Sequence, residues 1–187
     1  MNKLVRPMRA ALVTLIGVLT LIASLLVAAP QAEASYCGLH WGSLPKSGGT
    51  TMTSAQITNV RAGRHTCYDR LVIDLNGKVK GYDVRYATVY GNASGIRIPL
   101  LGAGDLRITV QAPAYNLAGK PTYVPVSRKN MINVTGYKTF RQVAWADSFE
   151  GNTIIGLGVR ARLPFRVFVL AGPGTGSRLV IDVAHYW

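Results

Sequence analysis

The sequence predicts an all-β fold, a β-sandwich built from many short strands, and three observations predict it. The string Arg-Leu-Val-Ile-Asp occurs twice, at 70–74 and 178–182. Each copy places Leu and Ile on one face of a strand and Arg, Val and Asp on the other. Further short alternating segments lie between turns rich in Gly and Pro, and no stretch shows a sustained helical apolar period with capping residues. Because the two copies open and close the domain, we expect them to sit near each other in a closed core.

The first 34 residues have the pattern of a signal peptide. Three basic residues precede the apolar run 10–29, and Ala-Glu-Ala at 32–34 matches the small-x-small pattern that signal peptidase reads. Cleavage after Ala34 therefore predicts a secreted, extracellular protein without stable membrane insertion, and the cell wall is one place that such a protein can occupy. The alternative is an uncleaved anchor, since about 20 apolar residues can span a bilayer.

The charge of the chain predicts an anionic partner. The whole sequence carries a net charge of +13, and the leader holds three of its 21 Lys and Arg and one of its eight Asp and Glu, so the mature chain carries +11. Such a charge on one small domain implies a polyanionic binding partner. Outside a cell, this partner is a wall polymer or an anionic lipid head group more often than a nucleic acid. The alternative is that the charge serves only solubility.

Residues 35–56 are predicted to form an irregular N-terminal arm tied to the domain by a disulfide. Its stretch 45–56 is polar and rich in Gly and Thr. Cys37 and Cys67 are the two cysteines of the chain, and export makes a disulfide between them the natural interpretation. A reactive thiol pair has no Cys-x-x-Cys spacing to support it, and a zinc site needs more ligands than the sequence offers. We therefore predict no metal and no cofactor.

The domain at 57–187 is predicted to contain eight strands. They lie at 57–62, 68–75, 82–90, 106–111, 140–146, 153–160, 165–170 and 178–184. The segment 96–100 contains Pro99 and is an edge strand or a loop. Asn76-Gly77 is a hairpin turn signal, 147–152 is a predicted turn, and 172–176 is a Gly-rich turn. The longest predicted loop, 113–130, contains three prolines, and long loops on a rigid scaffold often carry binding residues.

Two groups of motifs carry a resemblance to a known family. The first is V-R-x-G-x-H-x-x-Y-D-R-L-V-I-D at 60–74. The second comprises F-E-G at 149–151, G-L-G at 156–158, P-F-R-V at 164–167 and R-L-V-I-D-V-A-H at 178–185. Over 57–185 the chain resembles the actinobacterial AMIN-like domain. The resemblance implies an exported β-sandwich related to the AMIN domain, which directs envelope localisation and is credited with peptidoglycan binding.

The residues available for catalysis are few, so we expect no enzyme. The histidines are His40, His65 and His185, and neither a zinc-protease motif nor a Gly-x-Ser-x-Gly elbow is present. Asp147 and Glu150 could be paired as in a glycosidase, but their setting is typical of a turn. The aspartates that end the two repeated motifs are expected to be structural partners of arginines.

The candidate binding residues are basic and aromatic side chains near the first repeated motif. They are Arg61, Arg64, His65, Tyr82, Arg85 and Tyr86. Tyrosines alternating with Arg85 suit sugar stacking, although the alternative is that the tyrosine face belongs to the core. Arg70 and Arg178 are set aside because neighbouring aspartates are their expected partners. A metal role for His65 is less favoured than a surface or hydrogen-bonded one.

The leading hypothesis is a non-catalytic, secreted module that binds peptidoglycan or an anionic wall polymer through a basic face. Arginine suits this role because its fork makes bidentate contacts with carboxylates and phosphates. The face would carry Arg61, Arg64, Arg70, Arg85, Arg107, Arg160, Arg162, Arg166 and Arg178. The alternatives are a small cell-wall hydrolase with an unrecognised site and a protein-interaction module that uses an edge strand or the loop 113–130.

Overall fold

The computed structural model describes residues 37–187, which form one β-sandwich. The predicted leader, 1–34, lies outside the described residues. One sheet has five strands in the order β1-β4-β5-β7-β6, and the other has four in the order β2-β3-β9-β8, with antiparallel pairing throughout. No helix within 37–187 has the length and apolarity that a membrane span requires. The all-β prediction is confirmed.

The eight predicted strands are all present, and one further strand precedes them. The strands are β1 Lys46–Thr50, β2 Ile57–Arg64, β3 Tyr68–Leu75, β4 Gly81–Tyr86, β5 Gly104–Val110, β6 Phe140–Phe149, β7 Asn152–Val159, β8 Phe165–Ala171 and β9 Ser177–Ala184. The strand predicted at 82–90 ends earlier, and the one predicted at 140–146 continues to Phe149. The predicted turn at 147–152 shrinks to Glu150 and Gly151, whose positive φ angles of 47° and 74° suit a tight hairpin.

The two copies of the repeated motif are adjacent antiparallel strands, as expected. In the pairing of β3 with β9, Arg70 lies opposite Asp182, and Asp74 lies opposite Arg178. The Leu and Ile of both copies are fully buried and belong to the main core cluster. The two inner faces are held together by this apolar packing, since burying an aliphatic side chain contributes about 1.5 to 3 kcal/mol.

The predicted irregular arm contains a short edge strand. Residues 37–45 form no strand, but Lys46–Thr50 pairs with β4. A polar stretch rich in Gly gives no alternating pattern, so its strand was not predictable from periodicity. It forms here because Gly48 has no side chain: a Cβ at this position would lie 2.6 Å from the Tyr82 ring.

The hairpin predicted at Asn76-Gly77 is not formed. After β3 the chain crosses to the other sheet, so β4 is not the partner of β3. Ser177 holds the crossing, because its hydroxyl donates to the carbonyl of Gly77 (2.5 Å) and accepts the N–H of Val79 (2.9 Å). The side chain of Asn76 accepts the N–H of Gln56 (2.7 Å). These long-range contacts outweigh the local turn preference.

The outer face of the five-stranded sheet is covered by the segment 87–103, which is a loop with one isolated bridge, Tyr90 to Arg97. Leu100 packs there beside Val89 and Ile154. The Gly-x-Gly of β7 makes this packing possible: a Cβ on Gly158 would lie 2.1 Å from a carbonyl oxygen of the covering segment. The glycines of this motif are therefore explained by a close approach of backbone to backbone.

Candidate functional site

The repeated motif places a buried carboxylate on the outer face of the four-stranded sheet. Asp182 in β9 has no exposed surface, and two guanidinium groups from the flanking strands close over it. Arg70 in β3 donates from Nε to Oδ1 (2.6 Å) and from Nη2 to Oδ2 (2.9 Å). Arg166 in β8 donates from Nε to Oδ2 (2.9 Å), and its Nη2 lies equally close. One aspartate thus holds two arginines in fixed positions.

The sequence produces this arrangement through register and alternation. Arg70, Asp182 and Arg166 lie opposite one another in the paired strands. Because side chains alternate along a strand, all three point away from the core that their Leu, Ile and Phe neighbours fill. The hydrogen bond to Asp182 raises the pKa of the Arg70 guanidinium above its ordinary value. The Arg70 guanidinium therefore stays cationic.

Aromatic rings frame the two guanidinium groups. Arg166 lies 4.4 Å from the centroid of Trp41, 5.6 Å from that of Tyr68 and 4.9 Å from that of Phe168. The Arg70 guanidinium lies 5.3 Å and 5.5 Å from the Tyr68 and Phe168 centroids. All three rings are half-buried. We call the five residues Trp41, Tyr68, Arg70, Arg166 and Phe168 the arginine–aromatic face.

Trp41 reaches this face because the arm is fastened at two points. The disulfide from Cys37 to Cys67, with a Cα separation of 5.9 Å, anchors the arm one residue before β3. The predicted pairing is thereby confirmed. On the other side of Trp41, the carbonyl of Gly42 accepts the N–H of Phe165 (3.1 Å) at the start of β8. The indole is thus held between two anchors and above the sheet.

Two further arginines, Arg61 and Arg178, lie on the same outer side of the sheet. Arg61 in β2 forms a bidentate pair with Asp74, at 2.9 and 3.1 Å, although the residue opposite Asp74 in β9 is Arg178. Arg178 instead donates to the carbonyl of Ala171 (2.9 Å). The Arg61 side chain is half exposed, so this pair contributes little stability.

The candidate residues from the sequence are dispersed over the molecule. Arg61 is paired with Asp74, and Arg85 is paired with Asp83 (2.5 Å) on the outer face of the other sheet. Arg64 and His65 are exposed at one end of the sandwich. The His65 ring stacks on that of Tyr68, with centroids 4.5 Å apart, and so touches the arginine–aromatic face.

The two candidate tyrosines pack against the core. Tyr82 and Tyr86 are partly buried there, and Tyr86 exchanges hydrogen bonds with the backbone of Leu163, each 2.8 Å long. Burial, the larger influence, raises the pKa of Tyr86 above its ordinary value of 10.0. Both rings thus pack against the core, which is the alternative to sugar stacking given for these tyrosines. Neither ring lies on the arginine–aromatic face.

The carboxylates considered for catalysis do not converge. Asp147 accepts the N–H of Ala93 (2.8 Å), while Glu150 is exposed in the β6–β7 turn. Asp182 is enclosed by its arginines and Asp74 by Arg61, which is the structural role expected for them. Within 37–187 no group of three or more His, Cys, Asp or Glu side chains is arranged to hold a metal ion.

Sequence reasoning did not select the aromatic members of the face. Tyr68 and Phe168 each lie two residues from an arginine of the set, so their side chains share its face of the strand; this signal was available. Trp41 carries no such signal, because its position depends on the disulfide and on contacts distant in sequence.

The comparisons with known proteins identify one family. A family model described as the AMIN-like domain matches residues 55–185. No curated protein and no solved structure matches the chain.

Proposed function

Because the chain belongs to the AMIN-like domain family, we propose that it is a non-catalytic, exported module that binds an anionic cell-wall polymer or peptidoglycan through the arginine–aromatic face. AMIN-like domains are cell-envelope-associated modules and are generally non-catalytic, serving binding or localisation. The proposal adds export by cleavage after Ala34, the class of ligand and the residues that hold it.

The observation that carries the proposal is Arg166, which is fixed on buried Asp182 and stacked 4.4 Å from Trp41. About two-fifths of its side chain is exposed. Wall polymers combine sugar rings with carboxylate or phosphate groups. Aromatic faces pack against sugar rings, and a guanidinium fork makes bidentate contacts with oxyanions. The arginine–aromatic face offers both kinds of contact side by side.

The rigidity of the face also favours binding. Ordering a long side chain on binding costs roughly 0.5 to 1.5 kcal/mol. Asp182 already holds Arg70 and Arg166 in place, and the disulfide limits the positions of Trp41. Most of this side-chain entropy is therefore lost on folding, before a ligand binds. The surplus of positive charge in the mature chain, +11 after removal of the leader, would draw an anionic polymer toward the domain.

The test is a sedimentation assay of the exported protein with purified wall sacculi, with and without their anionic polymers, across a salt series. Trp41→Ala and Arg166→Gln should each weaken binding roughly tenfold, since aromatic and arginine anchors contribute more than about 1 kcal/mol each. Arg97→Gln is the matched control, because Arg97 is exposed and lies on the segment that covers the other sheet. Its binding should equal that of the wild type.

Binding should also fall steeply with salt, because exposed charge contacts are screened over about 8 Å at physiological ionic strength. The set Arg61→Ser/Arg64→Ser/Arg85→Ser is the comparison for the residues chosen from sequence. Two of those arginines have aspartate partners, so we expect a smaller loss than for Arg166→Gln. Wild-type binding by both Trp41→Ala and Arg166→Gln would refute the proposal, as would binding that ignores salt and the anionic polymers.

A further inference from the structure

A second cluster of positive charge lies at the end of the sandwich, outside the arginine–aromatic face. There the turn between β2 and β3 meets the loop that precedes β6, and together they enclose an open depression of about 500 Å³. The residues that line it are Arg64, His65, Thr66, Asp69, Gly136, Lys138 and His185. Asp69 is the single carboxylate among them.

The Asp69 carboxylate makes its hydrogen bonds with groups in the interior. The carboxylate is 1% exposed, and its Oδ2 accepts the N–H groups of Thr139 (2.6 Å) and Phe140 (3.2 Å). Its Oδ1 lies 3.2 Å from Nε2 of His185, which is equally buried. In the described part of the chain, Asp69 forms no ion pair with the cations at the rim.

The cations at the rim have no acidic partner. Within 37–187 neither Arg64 nor Lys138 forms an ion pair, and both are exposed. The Arg64 side chain lies across Gly136: a Cβ added to Gly136 would be 3.4 Å from Nη1 of Arg64. The guanidinium carbon of Arg64 lies 6.0 Å from the centroid of the Tyr137 ring. The depression thus brings together two positive side chains that form no ion pair within 37–187.

We infer that this depression is a binding site for a single oxyanion, the carboxylate or phosphate group of a small ligand or of a polymer end. Arg64 provides a planar donor fork and Lys138 a point charge, the two kinds of group by which proteins hold such anions. Both side chains line the same open depression, so their fields add there. This site does not depend on the arginine–aromatic face, and its ligand requires no sugar ring.

The test is a nuclear magnetic resonance titration of the exported, ¹⁵N-labelled protein with sodium phosphate and, separately, with sodium acetate. Sodium chloride keeps the ionic strength constant. Saturable shifts should appear for the amides of 64–66 and 136–138 and for the Arg64 side chain. Saturation by phosphate alone identifies a phosphate-bearing ligand, and saturation by both salts identifies a carboxylate as a ligand too; either supports the site.

The variants Arg64→Gln and Lys138→Gln should each lower the affinity at least roughly fivefold, because each removes a charged hydrogen-bond donor. The matched controls are Arg97→Gln and Lys129→Gln, which remove exposed cations outside the depression. They should leave the titration unchanged. Linear shifts at all exposed cations, or wild-type saturation in both Arg64→Gln and Lys138→Gln, would overturn the inference. Because phosphate and acetate carry no sugar, these results are separable from those of the sacculus assay.

Discussion

Asp182→Asn should destabilise the domain far more than Asp74→Asn, although the two aspartates occupy the same position in the repeated motif. Asp182 is fully buried and accepts hydrogen bonds from Arg70 and Arg166. An asparagine keeps the shape but turns an amide N–H₂ toward the guanidinium donors. The two arginines would then lose the charge that compensates them.

The size of the effect follows from the burial of each pair. Removing one member of a buried ion pair costs about 3 to 5 kcal/mol. Because the Arg70 and Arg166 side chains are 23% and 41% exposed, water can solvate them in part, so we expect about 3 kcal/mol, at the lower end. Asp74 is 21% exposed and its partner Arg61 is 50% exposed. The Asp74→Asn substitution should therefore lower the free energy of unfolding by less than about 1 kcal/mol.

Urea unfolding followed by circular dichroism and a thermal scan measure both variants at neutral pH. For a domain of this size, 1 kcal/mol shifts Tm by roughly 2 to 4 °C. Asp182→Asn should therefore lower Tm by roughly 6 to 12 °C, and Asp74→Asn by a few degrees at most. Equal losses of stability in the two variants would show that the buried carboxylate is no more important than its exposed counterpart.

Three further perturbations test other parts of the structure. Replacing both Cys37 and Cys67 by Ser should cost roughly 3 to 4 kcal/mol in urea unfolding, since the disulfide spans 30 residues, and should weaken sacculus binding by freeing the arm. Burial raises the pKa of Tyr86, so the protonated phenol is favoured in the folded state. The free energy of unfolding that this preference contributes is complete below the unfolded pKa of tyrosine, near 10, and is lost as the pH rises through the folded pKa of Tyr86. The Tyr86→Phe variant should not show this loss of stability at alkaline pH. Gly158→Ala should cost at least roughly 2 kcal/mol because its Cβ would meet a carbonyl oxygen at 2.1 Å, whereas Gly42→Ala, in open space, should be neutral.

Each of these measurements has a contrary result. Undiminished stability of the double cysteine variant would mean that the disulfide does not stabilise the fold by constraining the unfolded chain. Unfolding curves of wild type and Tyr86→Phe that fall in parallel above pH 10 would assign the alkaline loss to other groups. Equal stability of Gly158→Ala and Gly42→Ala would show that the covering segment can move away from β7.

The sequence by itself determined the elements of this protein that depend on local pattern. Alternation with period two located eight strands and assigned the Leu and Ile of both repeated motifs to the core, because a strand must send successive side chains to opposite faces. Because the chain contains two cysteines, one intramolecular pairing was possible. The motifs at 60–74 and 149–185 indicated the family.

The tertiary structure decided what depends on partners distant in the chain. Period two does not specify which strand lies alongside which, so the crossing after Asn76 and the edge strand β1 emerged only on assembly. Likewise, Asp74 pairs with Arg61 and not with the arginine opposite it, and Trp41 stacks on Arg166 through a disulfide and a bond to β8. The candidate site is built from such contacts: its residues come from the arm, β3, β8 and β9, and packing brings them together where no local pattern could.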